Sequence, residues 1–106
     1  MATLGEKIRK FRQEKGLTLE QLGEMSGASK SYIWELENRN PPRPSAEKIS
    51  RIAASLGLTA EFLLDEKRES PEASDVDLAF FRKYQDMSID TKKRLRQILE
   101  AWEKSE

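Results

Sequence analysis

The sequence contains no cysteine and no histidine among its 106 residues. Disulfide bonds, zinc sites built on Cys or His, and catalysis by a histidine base are therefore excluded. No apolar run approaches the roughly 20 residues that a membrane-spanning helix needs. Only five glycines and four prolines are present, without strong runs of β-branched residues, which favours helix. These absences predict an all-α cytoplasmic protein that is not an enzyme, with no metal, no cofactor and no membrane contact.

The charge of the chain is balanced, with 19 basic and 19 acidic side chains. Residues 1–65 carry ten basic and nine acidic groups, and residues 66–106 carry nine and ten. A protein that coats nucleic acid without specificity would have a strong basic excess. Any nucleic-acid binding must therefore come from a local arrangement of charge.

Caps and apolar periodicity predict five helices in residues 1–64. The first covers about 4–14 and has a single apolar face. The second begins after Thr18 in a capping box, and Leu22 and Met25 supply its apolar face. The third begins after Ser29. Two more helices begin after capping residues Ser45 and Thr59.

The rest of the chain divides into a linker and a tail. Residues 65–75 are mostly acidic or small and predict a flexible linker, with Ser74 as the cap of the following helix. Residues 76–106 predict a helical hairpin, the second helix of which follows Ser88. We therefore expect a five-helix domain over 1–64 and a separate hairpin over 76–106.

The predicted hairpin is too small to be stable alone, because a chain below about 40 residues usually needs disulfides, a metal or oligomerisation. Pairing with the same hairpin of a second chain, across a two-fold axis, would bury its apolar side chains. The alternative is that the hairpin folds back on residues 1–64 of its own chain. The predicted dimer interface comprises Leu78, Phe80, Phe81, Tyr84, Leu95, Ile98, Leu99 and Trp102.

Only about three residues, 26–28, separate the second and third predicted helices. This is the spacing of a helix-turn-helix, the second helix of which enters the major groove of DNA. Residues 21–38 resemble the helix-turn-helix of the Xre/Cro family, also called lambda-repressor-like, and the resemblance extends over about 4–64. Its motif positions include Leu22, Gly27 and Ile33. The resemblance implies a five-helix domain that binds double-stranded DNA.

The resemblance places base contacts on the third helix. Family members read bases from the positions matching Lys30, Ser31 and Glu35, and these side chains have the donors and acceptors for guanine and cytosine edges. Trp34 would pack on a thymine methyl group or a sugar. The alternative is a solvated face on which Glu35 pairs with Arg39. The predicted base-contact residues are Ser29, Lys30, Ser31, Trp34 and Glu35.

Phosphate contacts are expected at the start of the second helix and in the loop after the third. The prolines of this loop stiffen it, which lowers the ordering cost of binding. The alternative is an ordinary exposed loop. The predicted backbone contacts are Thr18, Asn38, Arg39, Asn40 and Arg43. The basic residues of the first helix, Lys7, Arg9 and Lys10, are assigned to a solvated face, with phosphate contact as the alternative.

The resemblance also implies a partly buried salt bridge between Arg12 and Glu37, which would orient the third helix. The sequence departs from the family at Leu19, where many members have a glutamine that contacts a phosphate. It departs again at Arg39, where a glycine often follows the helix, so that Asn38 or Asn40 would supply the left-handed residue.

Together these features predict a homodimeric, sequence-specific transcriptional regulator, a repressor that binds a pseudo-palindromic operator. One alternative is the antitoxin of a toxin–antitoxin pair, in which the tail binds a toxin. A related one is a repressor removed by a dedicated protease. From a different class, the chain could be a protein-interaction module that no longer binds DNA.

Overall fold

A computed structural model describes residues 2–39, 41 and 43–106. Every regular element within these residues is an α-helix, which confirms the predicted fold class. The helices are α1 (Leu4–Glu14), α2 (Leu19–Ser26), α3 (Lys30–Asn38), α4 (Ala46–Ser55), α5 (Ala60–Leu64), α6 (Ala73–Gln85) and α7 (Ile89–Ser105). Helices α1–α5 share one core, and α6 and α7 extend from it to give a molecule of 49 × 28 × 24 Å. None of the described helices is long and apolar enough to cross a membrane.

Side-chain caps begin most helices where the sequence predicts them. Thr18 forms a capping box with Gln21 at the start of α2. The hydroxyls of Ser29, Ser45 and Ser88 accept hydrogen bonds from backbone N–H groups at the starts of α3, α4 and α7. Such caps satisfy N–H groups that have no partner within the helix.

Helix α6 begins earlier than expected. It starts at Ala73 after Glu72, so that the predicted cap Ser74 lies inside the helix. The Glu72 N–H is instead bonded to the Asp75 carboxylate at 2.8 Å. The predicted linker 65–75 therefore overlaps the first turn of α6. Of its remaining residues, Asp65 accepts a hydrogen bond from Lys7 of α1, and Arg68 donates to Asp75 of α6.

The buried apolar residues of α1, α3, α4 and α5 follow the apolar periodicity of the sequence, but the prediction for Met25 was wrong. Met25 is 56% exposed. The inner face of α2 consists of Leu22, Gly23 and Ser26, and at 3.6 residues per turn Met25 lies roughly 100° away from the centre of this face. A Cβ on Gly23 would lie 2.7 Å from the carbonyl oxygen of Ala28, so the turn into α3 packs directly on this face, and Met25 is left at its rim.

The assignment of Lys7 to a solvated face was also wrong. Lys7 is only 1% exposed, and its Nζ donates to the carbonyls of Phe62, at 2.7 Å, and of Asp65. The same Nζ lies 4.4 Å from the ring centroid of Phe62. Burial lowers the pKa of the Lys7 ammonium group. Lys7 therefore satisfies carbonyls at the carboxyl end of α5, where a positive charge is favoured.

The tail contacts the five-helix domain mainly through α6. Ala79 is buried, and Arg82 forms a 3.0 Å ion pair with Glu61 of α5. In α7, by contrast, none of the residues 89–105, all of which the structure describes, is buried. Helix α7 approaches α6 at the Tyr84 ring, with the Lys92 Nζ 5.4 Å from the ring centroid. The tail is thus attached to the five-helix domain through α6, and most of its apolar surface is exposed.

Candidate nucleic-acid interface

The turn between α2 and α3 has the backbone geometry of a tight helix-to-helix connection. Gly27 ends α2 in the left-handed region, at φ +73°, which glycine adopts without strain. The N–H of Ala28 then donates to the carbonyl of Gly23 at 2.8 Å. Ser29 follows and caps α3, with its Oγ accepting from the Tyr32 N–H at 3.0 Å. This connection fixes α3 against α2 with its first turn at the surface.

The inner side of α3 is held by the core and by α1. Ile33 and Leu36 are 0% and 2% exposed. Gly5 of α1 lies so close to α3 that a Cβ on it would be 2.2 Å from the carbonyl oxygen of Leu36. Glycine is therefore required at this position by the close approach of the two helices.

Arg12 of α1 and Glu37 of α3 form the ion pair that the resemblance implies. The Arg12 Nε and Nη2 donate to the two Glu37 carboxylate oxygens at 2.7 and 2.9 Å, and the Nη1 donates to the Leu17 carbonyl at 2.9 Å. The Glu37 side chain is 1% exposed. Its hydrogen bond raises the pKa of the Arg12 guanidinium. The pair joins the last turn of α3 to α1, and its orienting role stays a prediction.

The outer side of α3 brings the predicted base-contact residues together. Ser31, Trp34 and Glu35 point away from the Ile33–Leu36 face, with Lys30 on one flank. Among the described residues, Glu35 does not pair with Arg39. The Arg39 guanidinium instead lies 5.3 Å from the Trp34 ring centroid. The carboxylate of Glu35 is thus left available at the surface.

Some of the predicted phosphate-contact residues have exposed side chains, and others have side chains that already form hydrogen bonds within the protein. Arg39 and Arg43 are exposed. The Asn38 side-chain amide donates to the Trp34 carbonyl at 2.9 Å, so it is engaged at the end of α3. The Thr18 hydroxyl accepts from the Gln21 N–H at 3.0 Å. Asn40 lies outside the described residues.

Two departures from the family pattern have structural consequences. Asn38 does not supply a left-handed residue, because it is the last residue of α3, and Arg39 follows in the right-handed region at φ −115°. Leu19 is partly buried against the core. A leucine offers no donor to a phosphate, so α2 contributes an apolar contact at this position.

Lys48 lies close to α3, although it was not singled out from the sequence. Its Nζ lies 4.7 Å from the ring centroid of Tyr32 on α3, beside a recess that Gly27, Ser29 and Arg51 also line. Burial raises the pKa of the Tyr32 hydroxyl. Helix periodicity assigns Lys48 correctly to the exposed side of α4, but it cannot show which side chain of another helix lies opposite.

Residues 3–64 match the family model described as "Helix-turn-helix domain". The chain belongs to the helix-turn-helix family. This finding confirms the resemblance and the assignment of α2 and α3.

The similarity to some helix-turn-helix proteins extends over the tail. The HTH-type transcriptional regulator SinR of Bacillus subtilis is 31% identical over 107 residues, which cover 97% of this chain and 96% of SinR. The structure of a SinR protein/SinI protein complex matches 98% of this chain and 100% of that chain, with a TM-score of 0.59 and 28% identity. A crystal structure of SinR in complex with DNA matches 59% of this chain and 100% of that chain, with a TM-score of 0.56 and 33% identity. This chain is thus similar to a transcriptional regulator over nearly its whole length.

Proposed function

We propose that this protein is a homodimeric transcriptional repressor that inserts α3 into the major groove of a pseudo-palindromic DNA operator. The observation that carries the proposal is the outer face of α3, where Lys30, Ser31, Trp34 and Glu35 are exposed on a helix held rigidly from behind. The similarity to SinR, a regulator whose DNA complex is known, supports it. The protein would act in the cytoplasm, without catalysis, by occupying a promoter.

The base-contact residues have complementary roles. Lys30 would donate to guanine O6 and N7, Glu35 would accept from cytosine N4, and Ser31 can bond either kind of base. Ser29 would contact a base at the edge of this site, and Trp34 would pack on a thymine methyl group or a sugar. Arg39 and Arg43, together with Lys48 beside Tyr32, would bind phosphates and set the register of α3 in the groove.

We assign dimerisation to the open face of the tail. Phe80, Phe81, Ile98 and Trp102 are each more than half exposed, which is an unusual concentration of apolar surface for a chain of this size. Tyr84, Leu95 and Leu99 line a cleft of about 260 Å³ within this face. The structural relative that matches 98% of this chain comes from a complex of SinR with SinI, which supports a chain that binds another polypeptide.

The domain division follows from these roles. Residues 1–64 would bind one half-site, residues 76–106 would pair two chains, and residues 65–75 would connect the two. In such a dimer the two α3 helices would lie about 34 Å apart, so that they enter successive major grooves on one side of the duplex.

Selection from a random duplex library tests the proposal, carried out at about 0.15 M salt because phosphate contacts weaken with salt. The test variant is Lys30→Ala/Ser31→Ala. The matched control is Lys104→Ala/Ser105→Ala, which removes the same two residue types from the exposed end of α7.

The proposal predicts that the wild type and the control enrich the same inverted repeat and that the test variant does not. Equal enrichment by all three proteins would show that α3 does not read bases. No enrichment by the wild type would favour a protein-interaction module over a repressor.

A further inference from the structure

Arg68 connects the core of the five-helix domain to the first turn of α6. Its Nη1 and Nη2 donate to the two Asp75 carboxylate oxygens at 2.9 and 3.1 Å, and its Nε lies 3.3 Å from the Asp65 Oδ2. Its guanidinium carbon is 5.4 Å from the ring centroid of Phe62, which is fully buried in the core. Phe62, Asp65, Arg68 and Asp75 form what we call the Arg68 joint.

A second attachment lies about two turns further along α6. Ala79 is buried there, and the Arg82 Nη1 is 3.0 Å from the Glu61 Oε2 of α5. Asp75 and Arg82 are seven residues apart, which is about 10 Å along a helix. Because a rigid helix held at two separated points cannot pivot freely, these attachments fix the direction of α6 as well as its position.

The orientation of α6 matters for DNA binding because α6 carries Phe80 and Phe81 of the proposed dimer interface. If residues 66–72 were a flexible chain, the root-mean-square distance between the two ends of this segment would be about 15 Å. One base pair moves a half-site by only about 3.4 Å along the duplex and turns it by about a tenth of a turn. A dimer on free linkers would therefore accept several half-site spacings, whereas a dimer on fixed linkers would accept one.

We propose that the Arg68 joint determines the half-site spacing that the dimer accepts, with Arg68 as a positioning residue that does not touch DNA. The inference rests on the proposed function, since it requires a dimer formed through the tail. The proposed function assigns operator selectivity to α3 alone. The inference adds a second source of selectivity, which is the contact between the connecting segment and α6.

The test uses the full-length protein and a set of palindromes that share one half-site sequence and differ in spacer length by one or two base pairs. Affinity for each palindrome, affinity for a single half-site, and the mass in solution are measured for three proteins. These are the wild type, Arg68→Ala, and the control Lys67→Ala. The control removes the same charge from the adjacent exposed position, where only the backbone N–H is bonded to the joint.

We expect the wild type and Lys67→Ala to bind one spacing at least about tenfold more tightly than its neighbours, since a mismatched spacing must be met by bending or twisting DNA. Arg68→Ala should reduce this preference to about threefold or less, with half-site affinity and dimer mass unchanged. Asp75→Asn, which keeps an oxygen for the Glu72 N–H, should have the same effect.

Three results would overturn the proposal. The first is an unchanged spacing preference in both Arg68→Ala and Asp75→Asn. The second is a wild type that binds all spacings equally. The third is an Arg68→Ala variant that is monomeric in solution. The joint would then stabilise the dimer and would not determine the half-site spacing. Failure of the proposed function is distinct from these, because the wild type would then bind neither a half-site nor any palindrome.

Discussion

The Arg12–Glu37 pair is a buried contact that joins α1 to the last turn of α3. Glu37 has almost no exposure, and both of its carboxylate oxygens accept from Arg12. A buried carboxylate without a partner is costly, whereas an exposed ion pair contributes about 0–1 kcal/mol. The pair therefore matters mainly through what its disruption would leave unsatisfied at the end of α3.

Arg12→Met is expected to lower the free energy of unfolding by about 3 kcal/mol, because it keeps the aliphatic stem and strands the Glu37 carboxylate. The control is Arg51→Met, which breaks the 2.5 Å pair with Glu47, in which both side chains are more than half exposed. Its cost should be below about 1 kcal/mol. Urea denaturation of the two variants measures both values. Equal losses would mean that Arg12 does not stabilise the domain through a buried charge.

The sequence predicts which face of a helix is exposed more reliably than it predicts the burial of a side chain at the edge of that face. The exposed face of α3 could be predicted because the spacing of Ile33 and Leu36 defines the opposite face. The burial of Lys7 could not, since its partner carbonyls lie 55 and 58 residues further along the chain. Met25 fits an apolar face in the sequence, yet the buried face of α2 is formed by Leu22, Gly23 and Ser26, which leaves Met25 outside the core.

At the scale of elements, local signals located the helices and tertiary contacts determined how they are joined. The capping residues Thr18, Ser29 and Ser88 act within three residues, so the sequence alone predicts them. The start of α6 depends on Asp75, which bonds both the Glu72 N–H and Arg68. No local sequence pattern predicts a contact between Arg68 and the buried Phe62. The sequence therefore predicts a flexible linker at 65–75.

The attachment of α6 should depend on pH through Asp75. Hydrogen bonds from Arg68 and from the Glu72 N–H hold the pKa of the Asp75 carboxyl below its usual value of 3.8. The unfolded chain then binds the proton more readily than the folded chain. The stabilising contribution is therefore fully present above about pH 3.8 and is lost as the pH falls through the lower, folded-state pKa.

A carbon-13 NMR titration of the Asp75 carboxyl group measures this effect. In the wild type the midpoint should lie below 3.8, and in Arg68→Ala it should move up toward that value because the largest cause of the shift is removed. Lys67→Ala should leave the midpoint where it is. A midpoint that is the same in all three proteins would mean that Arg68 does not hold Asp75 in solution.

At the scale of the whole molecule, the exposed apolar face of the tail should decide the oligomeric state. Leu99 is 55% exposed on the predicted interface, whereas Ile89 is 85% exposed at the start of the same helix and outside the interface. Leu99→Asp would place a charge in a desolvated contact, and Ile89→Asp would place the same charge in water. Light scattering should give about twice 12.2 kDa for the wild type and for Ile89→Asp, and the monomer mass for Leu99→Asp.

The same pair of variants separates dimerisation from DNA reading. A dimer binds its second half-site at a high effective concentration, so the loss of pairing in Leu99→Asp should weaken binding to the full palindrome by about 10²–10⁴-fold. In the proposed function a single half-site is bound by residues 1–64, so binding to it should not change. If Leu99→Asp remains a dimer, the interface lies elsewhere on the tail. If it is a monomer that still binds the palindrome with wild-type affinity, the two half-sites are read independently and the tail has another partner.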